Sequence, residues 1–316
     1  MVPAAPTRKT PFYVVMNAAS GSSDGRERRE GIEKVLSEAG QRFEIRAVDD
    51  PAQLDAIALE AADQARKNAG AVIVAGGDGT INTVLQAVLP TGCLFGILPQ
   101  GTFNYSGRAH GIPLEIEAST RALIDAQVKP VQVGLLNDRA FLVNASVGLY
   151  PQLLEEREAY KQQYGRNRAV ALWAGLRTLM REQRQLTLEI EHDDRVELIR
   201  TPTVFVGNNP LQLQQVGLPE ADAIERRRLA AVIVKPISNA ALLSLAVRGA
   251  LGRLGDAANV RDFEFKTLTV CPLIRRQDTI RVATDGEIWQ ARIPLKFTVA
   301  PQWLHLLVPG GESATP

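Results

Sequence analysis

The hydrophobic pattern of the chain changes near residue 130, and this change constrains the fold more than any other feature. Before it, short apolar runs alternate with helical patterns, which is typical of a parallel sheet covered on both faces. The expected strands begin at Phe12, Arg42, Ala71 and Leu94. Apolar residues at helical spacing from Ile32, and the segment 51–68, predict two amphipathic helices. We therefore expect a doubly wound α/β domain over residues 10–132.

After about Lys129 the pattern becomes alternation with a period of two, which predicts a β-rich sandwich domain over residues 133–300. The runs are VQVGLL, AFLVNASV, LTLEIEH, RVELIR, TVFVG, AVIVK, FEFKTLTV, TIRVAT and ARIPLKF. Asp193 and Asp194 predict the turn of an antiparallel hairpin. Helical patterns are expected over 152–185 and 239–254. Residues 301–316 form a separate C-terminal segment, for which a return to the first domain is one alternative.

Composition excludes several classes of protein. With 36 Lys and Arg against 35 Asp and Glu, the net charge of +1 provides no field that would attract nucleic acid. Cys93 and Cys271 are too far apart for a zinc ribbon or a disulfide framework, which favours a reducing, cytoplasmic compartment. No apolar run approaches the roughly 20 residues that span a bilayer, so we expect no membrane crossing. The scattered His110, His192 and His305 are interpreted as structural or surface residues.

The segment AVIVAGGDGTINTVLQAVL predicts a strand, a tight glycine loop and a helix beginning near Thr80. Gly76, Gly77 and Gly79 let the backbone approach a ligand, and the N–H groups at a helix start favour an anion. Asp78 would repel phosphate unless a divalent cation lay between them, so the loop predicts a magnesium-nucleotide site. The alternative is an ordinary glycine turn in which Asp78 or Thr80 caps the helix.

Two further polar loops follow predicted strands. Gly101, Thr102 and Asn104 come after the fourth strand, and Asn17 and Ser20 come after the first. Individually each is a common surface loop. Because ligands of open α/β sheets bind outside the carboxyl ends of the strands, the three loops together are expected to close over one ligand.

The segment TIRVATDGEIWQARI places Asp285, Gly286 and Glu287 between two alternating strands. Asp-Gly is among the commonest hairpin turns, so the pattern favours an ordinary turn. If the turn faces the nucleotide loops, one of its carboxylates can accept a proton from a substrate hydroxyl. That hypothesis requires a cleft between the two domains.

Two features favour structural interpretations over functional ones. The run Arg226 to Arg228 is typical of a solvated surface, with contact to anionic lipid headgroups as the alternative. The predicted helix over 239–254 carries an apolar face that favours a place in the core, with interfacial lipid contact as the alternative. The residues of that face are Leu242, Leu245, Ala246 and Leu254.

Taken in order, NAASG, GGDGTIN, LPQGTFNYSGRAHGIP, VNASVGLY, VGNNP and DGE resemble the motifs of the diacylglycerol kinase catalytic-domain family, particularly its bacterial lipid kinases. The resemblance covers about residues 12–309. The GGDG core is shared with NAD kinases and 6-phosphofructokinases, whereas the order of the other motifs and the segment 301–309 look like the lipid kinases. The resemblance implies an ATP-binding α/β domain, a β-sandwich domain and a lipid-binding cleft between them.

The resemblance also implies transfer of the ATP γ-phosphate to a lipid hydroxyl, with a diacylglycerol-like acceptor. It implies nucleotide contacts for the residues Asn17, Gly76, Gly77, Asp78, Gly79, Thr80, Ile81, Asn82, Gly101, Thr102 and Asn104. Asp78 would also act in catalysis through the Mg²⁺ bound to ATP. In the DGE turn, Glu287 is the first candidate for the proton acceptor and Asp285 the second. The implied partners are ATP and a lipid at the inner membrane surface, without nucleic acid, and a homodimer is left open.

Several positions depart from the family pattern. Ala18 stands where proline is usual, Tyr105 where an acidic or other polar residue is frequent, and Val48 near a nucleotide-contacting threonine. Before LAAVIV the family has an acidic segment that resembles a structural Mg²⁺ site, whereas this chain reads AIERRR. Arginine offers donors and not lone pairs, so it cannot ligate Mg²⁺. We expect this second metal site to be absent, with an arginine-based polar network in its place or with loss of kinase activity.

Two alternatives to a lipid kinase remain open at this point. One is a kinase for a hydroxyl compound that is not a lipid. The other is a nucleotide- or lipid-binding module without catalysis, which the changed segment at 225–228 motivates. The presence of GGDGT, GTFN and DGE together argues against a pure binding module, which has no evident need for the DGE carboxylates.

Overall fold

The chain folds into two compact units, residues 1–133 with 300–316 and residues 134–299. Each unit is described by itself below. The structure is a computed structural model. It describes residues 3–17, 22–101, 103–149, 151, 185–192, 195–218, 222–238, 241, 244–245, 248, 252–253, 257–273 and 277–310.

The first unit is built on a six-stranded sheet with the order β2-β1-β3-β4-β18-β5. Its strands are β1 (Phe12–Asn17), β2 (Phe43–Val48), β3 (Ala71–Gly76), β4 (Leu94–Pro99), β5 (Gln127–Val131) and β18 (Leu304–Val308). β18 pairs in parallel with β4 and antiparallel with β5. Because β1 to β4 are parallel, their carboxyl ends meet at one edge of the sheet, where the polar loops follow.

Helices cover both faces of this sheet. They are α1 (Ser22–Glu38), α2 (Leu54–Lys67), α3 (Asp78–Val88), α4 (Tyr105–Arg108) and α5 (Ile116–Ile124). Ile32 of α1 and Leu123 of α5 share a buried cluster with the strand residues Val14 and Ile73. Successive strand residues point to opposite faces, and α2 and α3 pack against each other and against β1 and β3. The predicted doubly wound α/β class is confirmed.

The second unit contains two six-stranded sheets whose strands pair antiparallel. The β9 sheet has the order β10-β9-β14-β17-β6-β7, and the β8 sheet has the order β13-β12-β11-β8-β15-β16. Their strands are β6 (Gly134–Leu136), β7 (Arg139–Phe141), β8 (Asn144–Gly148), β9 (Leu186–His192), β10 (Arg195–Thr201), β11 (Thr203–Gly207), β12 (Leu229–Val234), β13 (Val260–Phe265), β14 (Thr267–Pro272), β15 (Thr279–Thr284), β16 (Glu287–Arg292) and β17 (Leu295–Val299). The short helix α6 (Pro210–Gln215) follows β11.

The core of the second unit lies between its two sheets. Ile190 and Phe297 from the β9 sheet share one buried cluster with Val206 and Val282 from the β8 sheet. Burial of apolar surface stabilises the fold by about 25 cal/mol per Å², so packing the inner faces of two sheets together is favoured over one exposed sheet. The predicted β-rich C-terminal region with antiparallel pairing is confirmed.

The structure corrects several details of the predicted elements. The run FEFKTLTV is two strands, because the chain leaves the β8 sheet at Lys266 and enters the β9 sheet. ARIPLKF is likewise divided between β16 and β17, with a cis Ile293–Pro294 peptide between them. The run VQVGLL is divided between the two units, because Val131 ends β5, an edge strand of the first sheet, and Gly134–Leu136 form β6 of the sandwich. A 3-10 turn over Pro51–Gln53 precedes α2, and α3 begins at Asp78.

Some predicted features fall partly or wholly outside the described residues. These are the helix over 152–185 and the turn at Asp193 and Asp194, although β9 and β10 pair as expected. Of the apolar face predicted within 239–254, Leu245 is described, and it is buried against Leu213. Within the described part of the chain, no helix is long and apolar enough to cross a membrane.

Candidate functional site

The glycine loop after β3 leads directly into α3 at the carboxyl edge of the first sheet. The residue before the helix is Gly77, which has extended backbone and no side chain to cap the first turn. Asp78 is therefore the first helical residue and not the cap. A Cβ at Gly76 would lie 2.6 Å from Cβ of Thr80, so a side chain does not fit there. The loop thus brings bare backbone and one carboxylate to the positive end of a helix.

The loop after β4 packs directly on this glycine loop. A Cβ at Gly101 would lie 3.0 Å from Cα of Gly77, so the two backbones are in close contact. The backbone N–H of Gln100 donates to the carbonyl of Gly76 at 2.9 Å. The backbone N–H of Asn104 donates to Oδ2 of Asp78 at 3.2 Å. The second loop therefore fixes both the backbone and the carboxylate of the first.

Asn104 shapes the second loop through its own side chain. Its backbone is left-handed, with φ at 49°, a conformation that asparagine tolerates better than most residues. Its Oδ1 accepts from the N–H of Gly101 at 2.7 Å, and its Nδ2 donates to the carbonyl of Gly101 at 2.8 Å. Both ends of the amide thus hold the loop closed, and the residue presents its backbone N–H to Asp78.

The other predicted nucleotide-contacting residues differ in exposure. Nδ2 of Asn17, at the end of β1, donates to Oγ1 of Thr80 at 3.1 Å, so the first loop also reaches the start of α3. The side chains of Ile81 and Asn82 are buried, and Oδ1 of Asn82 accepts from Gln86 at 3.0 Å. Those two residues therefore support the helix from within. Thr102, Ala18 and Ser20 lie outside the described residues.

A cavity of about 580 Å³ opens beside these loops. Gln100, Gly101 and Asn104 line one part of it, and Glu27 and Arg28 of α1 line another. Nη1 of Arg28 donates to Oε1 of Gln100 at 3.5 Å. A polar cavity of this size suits a small molecule and not a macromolecule.

In the second unit, Asp285 and Gly286 form the two-residue turn of the β15–β16 hairpin, with Thr284 paired to Glu287. Both turn residues have positive φ, 48° and 88°, as a type I′ turn requires. Asp285 is nevertheless buried, with 9% of its surface exposed. One carboxylate oxygen accepts from the N–H groups of Val143 and Asn144 at 2.8 and 3.0 Å, and the other accepts from Leu142 at 2.8 Å.

The start of β8 is therefore assembled around the Asp285 carboxylate. The buried Asn208 donates from its backbone to Val143 at 2.8 Å and from its side chain to the carbonyl of Leu142 at 3.1 Å. Nδ2 of Asn144 donates to Gln212 of α6 at 3.0 Å. The motifs VNAS, VGNNP and DGE, which lie far apart in the sequence, thus form one hydrogen-bonded cluster.

Glu287 has a different environment from Asp285. Its side chain is 40% exposed, and Oε2 lies 3.0 Å from Nη2 of Arg139 on β7. The guanidinium of Arg139 lies over the ring of Trp289, 5.3 Å from the centroid. Nε1 of Trp289 donates to Oγ1 of the buried Thr284 at 3.1 Å. The exposed carboxylate is therefore held from the side while remaining accessible to a substrate.

Comparison with known proteins finds a family model that matches part of the chain. Residues 11–136 match the model of the diacylglycerol kinase catalytic domain. The match covers less than half of the chain, and we call residues 11–136 the matched region below.

Curated relatives match less than half of the chain. A Staphylococcus saprophyticus protein named diacylglycerol kinase is 31% identical over 140 residues, which is 43% of this chain and 45% of that one. A Cronobacter sakazakii protein named "Probable lipid kinase YegS-like" is 30% identical over 146 residues, 45% of this chain and 47% of the relative. The chain thus spans about half the length of the curated relatives that it matches.

The fold likeness extends over both units. A crystal structure titled as a diacylglycerol kinase from Bacillus anthracis has a TM-score of 0.70 and 19% identity, and the match covers 95% of this chain and 97% of that chain. At this identity the likeness shows the fold alone. Both the matched region and the β-rich unit are parts of that shared fold.

Beyond the matched region, the arginine run is not merely solvated. Nη2 of Arg226 lies 2.7 Å from Oε2 of Glu264 on β13, and Nη1 of Arg228 lies 3.6 Å from Oε1 of the same carboxylate. The hydrogen bond that Arg226 donates to Glu264 raises the pKa of Arg226 above its usual value. In the described ranges, no group of three or more His, Cys, Asp or Glu residues is placed to hold a metal ion. An arginine–carboxylate network therefore holds the turn before β12.

The histidines occupy three different environments. His110 is largely buried near Lys129, and burial, together with that charge, lowers its pKa to about 4. The ring of His192 stacks on Phe263 at 4.3 Å between centroids. Nδ1 of His305 lies 3.1 Å from the carbonyl of Gly92. These contacts are structural, and none of the three histidines lies in the loops described above.

Sequence reasoning missed Arg139, Asn144, Asn208 and Gln212. The two asparagines of VGNNP follow a predicted strand, but the local sequence does not indicate that Asn208 contacts Leu142. Arg139 had one weak signal, a charged residue opening the otherwise apolar run RAFLV. Its partner lies 148 residues away, beyond the reach of any periodicity argument.

Proposed function

We propose that this protein is an ATP- and Mg²⁺-dependent lipid kinase that phosphorylates the hydroxyl group of a diacylglycerol-like lipid. The observation that carries the proposal is the contact of the two glycine loops, with Asp78 held by the Asn104 amide at the start of α3. The loops lie within the region that matches the kinase family. The names of the relatives, diacylglycerol kinase and lipid kinase, support the lipid acceptor.

The residues of the first unit fit a phosphate group and a divalent cation. Gly76, Gly77 and Gly79 leave no side chains in the way of a phosphate, and the first turn of α3 directs N–H groups toward it. The carboxylate of Asp78 offers the oxygen ligand that Mg²⁺ prefers. When bound, Mg²⁺ supplies positive charge that offsets the charge of the phosphate oxygens. Asn104 keeps the Asp78 carboxylate in place for that contact.

In the second unit we assign the proton acceptor to Glu287. Proton acceptance requires an oxygen that a substrate hydroxyl can reach, and the Glu287 side chain is 40% exposed. Asp285 is less suited, because its carboxylate oxygens already accept hydrogen bonds from three backbone N–H groups. Protonation would turn one of these acceptors into an O–H donor that faces N–H donors. Glu287 would accept the proton of the lipid hydroxyl as the hydroxyl oxygen bonds to the γ-phosphorus of ATP and the bond from that phosphorus to the leaving ADP breaks. Asp285 would shape the surrounding backbone.

The experiment that tests the function measures transfer of labelled γ-phosphate from Mg-ATP to lipids in mixed micelles. The panel contains diacylglycerol, ceramide, sphingosine and polyprenol, together with a sugar and NAD as acceptors that are not lipids. Asp78→Asn removes the carboxylate charge, and Asp55→Asn is the matched control, because Asp55 also lies in the first turn of a helix but in the exposed part of α2. We expect a labelled lipid with the wild type and the control, and a loss of roughly a hundredfold with Asp78→Asn.

Each other outcome contradicts part of the proposal. Label on a sugar or on NAD, with none on any lipid, would make the protein a kinase for another hydroxyl compound. Tight ATP binding without transfer to any acceptor would make it a binding module. Equal activity of wild type and Asp78→Asn would remove the assigned role of the carboxylate. Binding of the wild type to vesicles of anionic lipid, measured by sedimentation, tests the proposed peripheral contact with a membrane.

A further inference from the structure

The sandwich of the second unit has an arginine–glutamate ion pair at each of two opposite edges. At what we call the Glu287 edge, Arg139 on β7 pairs with Glu287 on β16, and these are the last strands of the β9 and β8 sheets. At the Glu197 edge, Arg261 on β13 pairs with Glu197 on β10, the strands at the other end of the same two sheets. Each pair therefore joins the two layers of the sandwich.

The hairpin that carries Arg139 is held firmly at its tip. Asn137, in the β6–β7 turn, donates from Nδ2 to the carbonyl of Arg292 at 2.9 Å and accepts at Oδ1 from the N–H of Lys296 at 2.8 Å. Its own N–H donates to the carbonyl of Lys296 at 2.8 Å. Because these partners lie at the end of β16 and in β17, Arg139 is fixed relative to the strand that carries Glu287.

The guanidinium of Arg139 is directed toward one carboxylate. The ring of Trp289 lies under the guanidinium of Arg139 and restricts its position, and a hydrogen bond to Thr284 holds the indole. In the part of the chain that the structure describes, Nε of Arg139 is buried without a hydrogen-bond partner, and Glu287 is the acidic group that Nη2 meets. Leaving this Nε buried without a hydrogen bond costs free energy while Arg139 contacts the carboxylate. An ion pair between fully exposed side chains carries no such cost.

We infer that Arg139 is a positioning residue for the reaction, one that holds the Glu287 carboxylate in the place from which it accepts the substrate proton. The inference rests on the proposed function and deepens it. Arg139 would act through Glu287 and not touch the substrate itself. Because a carboxylate displaced by about 1 Å can cost up to a hundredfold in rate, loss of the arginine should lower kcat and leave ATP binding intact.

The test compares Arg139→Gln with Arg261→Gln, a close structural match. Arg261 also pairs with a glutamate across the two sheets, and it also lies over an aromatic ring, Phe263, at 5.2 Å. We expect Arg139→Gln to lower kcat between tenfold and a hundredfold, roughly, with KM for ATP unchanged. Arg139→Lys keeps a cation without the planar fork and should recover part of the loss. Arg261→Gln should stay within about twofold of the wild type while losing similar stability.

Two outcomes would overturn the inference although the protein is a lipid kinase. One is an unchanged kcat for Arg139→Gln. The other is an equal loss of kcat in both glutamine variants, in proportion to their lost stability. A wild type without any transfer activity would defeat the proposed function instead.

A crystal structure of Arg139→Gln provides a readout that does not depend on activity. We expect the Glu287 side chain to leave its present rotamer or to lose defined density, while Glu197 at the other edge stays in place. A Glu287 carboxylate that keeps its position without the arginine would show that Arg139 does not position it.

Discussion

The Glu287 edge and the Glu197 edge of the sandwich contain the same kind of arginine–glutamate ion pair in different surroundings. Each joins the two sheets by an arginine and a glutamate, with the guanidinium over an aromatic ring at 5.3 Å in one case and 5.2 Å in the other. The glutamates are equally exposed, at 40%. As ion pairs on the surface, both should contribute about 0.2–1 kcal/mol to the free energy of unfolding.

The difference lies in what surrounds each pair. At the Glu287 edge, the glutamate follows a turn whose aspartate binds three backbone N–H groups of another strand. At the Glu197 edge, β13, the strand of Arg261, also carries Glu264, which two more arginines hold. The same ion-pair geometry therefore occurs in two different backbone environments.

The two edges should differ most in their effect on kcat when the charge of each glutamate is removed. Glu287→Gln should lower kcat for phosphorylation of the accepted lipid by a hundredfold or more, roughly, because a positioned proton acceptor contributes about 10²- to 10⁴-fold. Glu197→Gln should stay within about twofold of the wild type. Steady-state kinetics with varied lipid and ATP measure both. If the two variants behave alike, the edges are chemically equivalent and Glu287 is not the proton acceptor.

The next effect concerns stability at the Glu287 edge. In Asp285→Asn the amide can still accept from Val143 and Asn144, but its NH₂ group would face the N–H of Leu142. Leaving that buried donor unpaired should lower the free energy of unfolding by about 1–3 kcal/mol. Asparagine tolerates the positive φ, so the loss reports the carboxylate.

Asp138→Asn is the control for that variant, because Asp138 is exposed in the turn of the neighbouring β6–β7 hairpin. Urea denaturation followed by circular dichroism measures both variants. An Asp285→Asn variant as stable as the control would mean that the carboxylate does not anchor the start of β8.

The smallest expected effect lies at the Glu197 edge. Removing divalent cations with a chelator should change the melting temperature by less than about 1 °C, since two arginines pair with Glu264 and their contacts do not depend on divalent cations. Glu264→Gln is the positive control and should lower the melting temperature by about 1–4 °C through the lost ion pairs. A larger drop in chelator that Mg²⁺ reverses would reveal an ion at this edge.

Much of the fold could be predicted from local patterns. The runs from Phe12, Ala71 and Leu94 became strands because apolar, branched residues at short spacing suit a buried sheet. The run FEFKTLTV became two strands, because alternation continues through Lys266 while the chain changes sheets. Periodicity reports which residues are buried and not which neighbour a strand takes.

The candidate site was predictable only in part. Strand, glycine loop and helix are contiguous in sequence, so the position of Asp78 at a helix start followed from local rules. The contact of Asp78 with Asn104 needs two loops to meet across 26 residues, which only the order of the strands brings about. Because parallel strands share a carboxyl edge, the meeting of the two loops could be expected, but the atoms in contact could not.

Local sequence patterns are enough to predict the two-part architecture, the glycine loop and two carboxylates in one turn. The different environments of those carboxylates arise only on folding, since Asp285 binds backbone 141–143 residues away and Glu287 pairs with an arginine 148 residues away. The physical reason is that hydrophobic alternation acts between near neighbours, whereas the role of a carboxylate depends on the donors that folding brings to it.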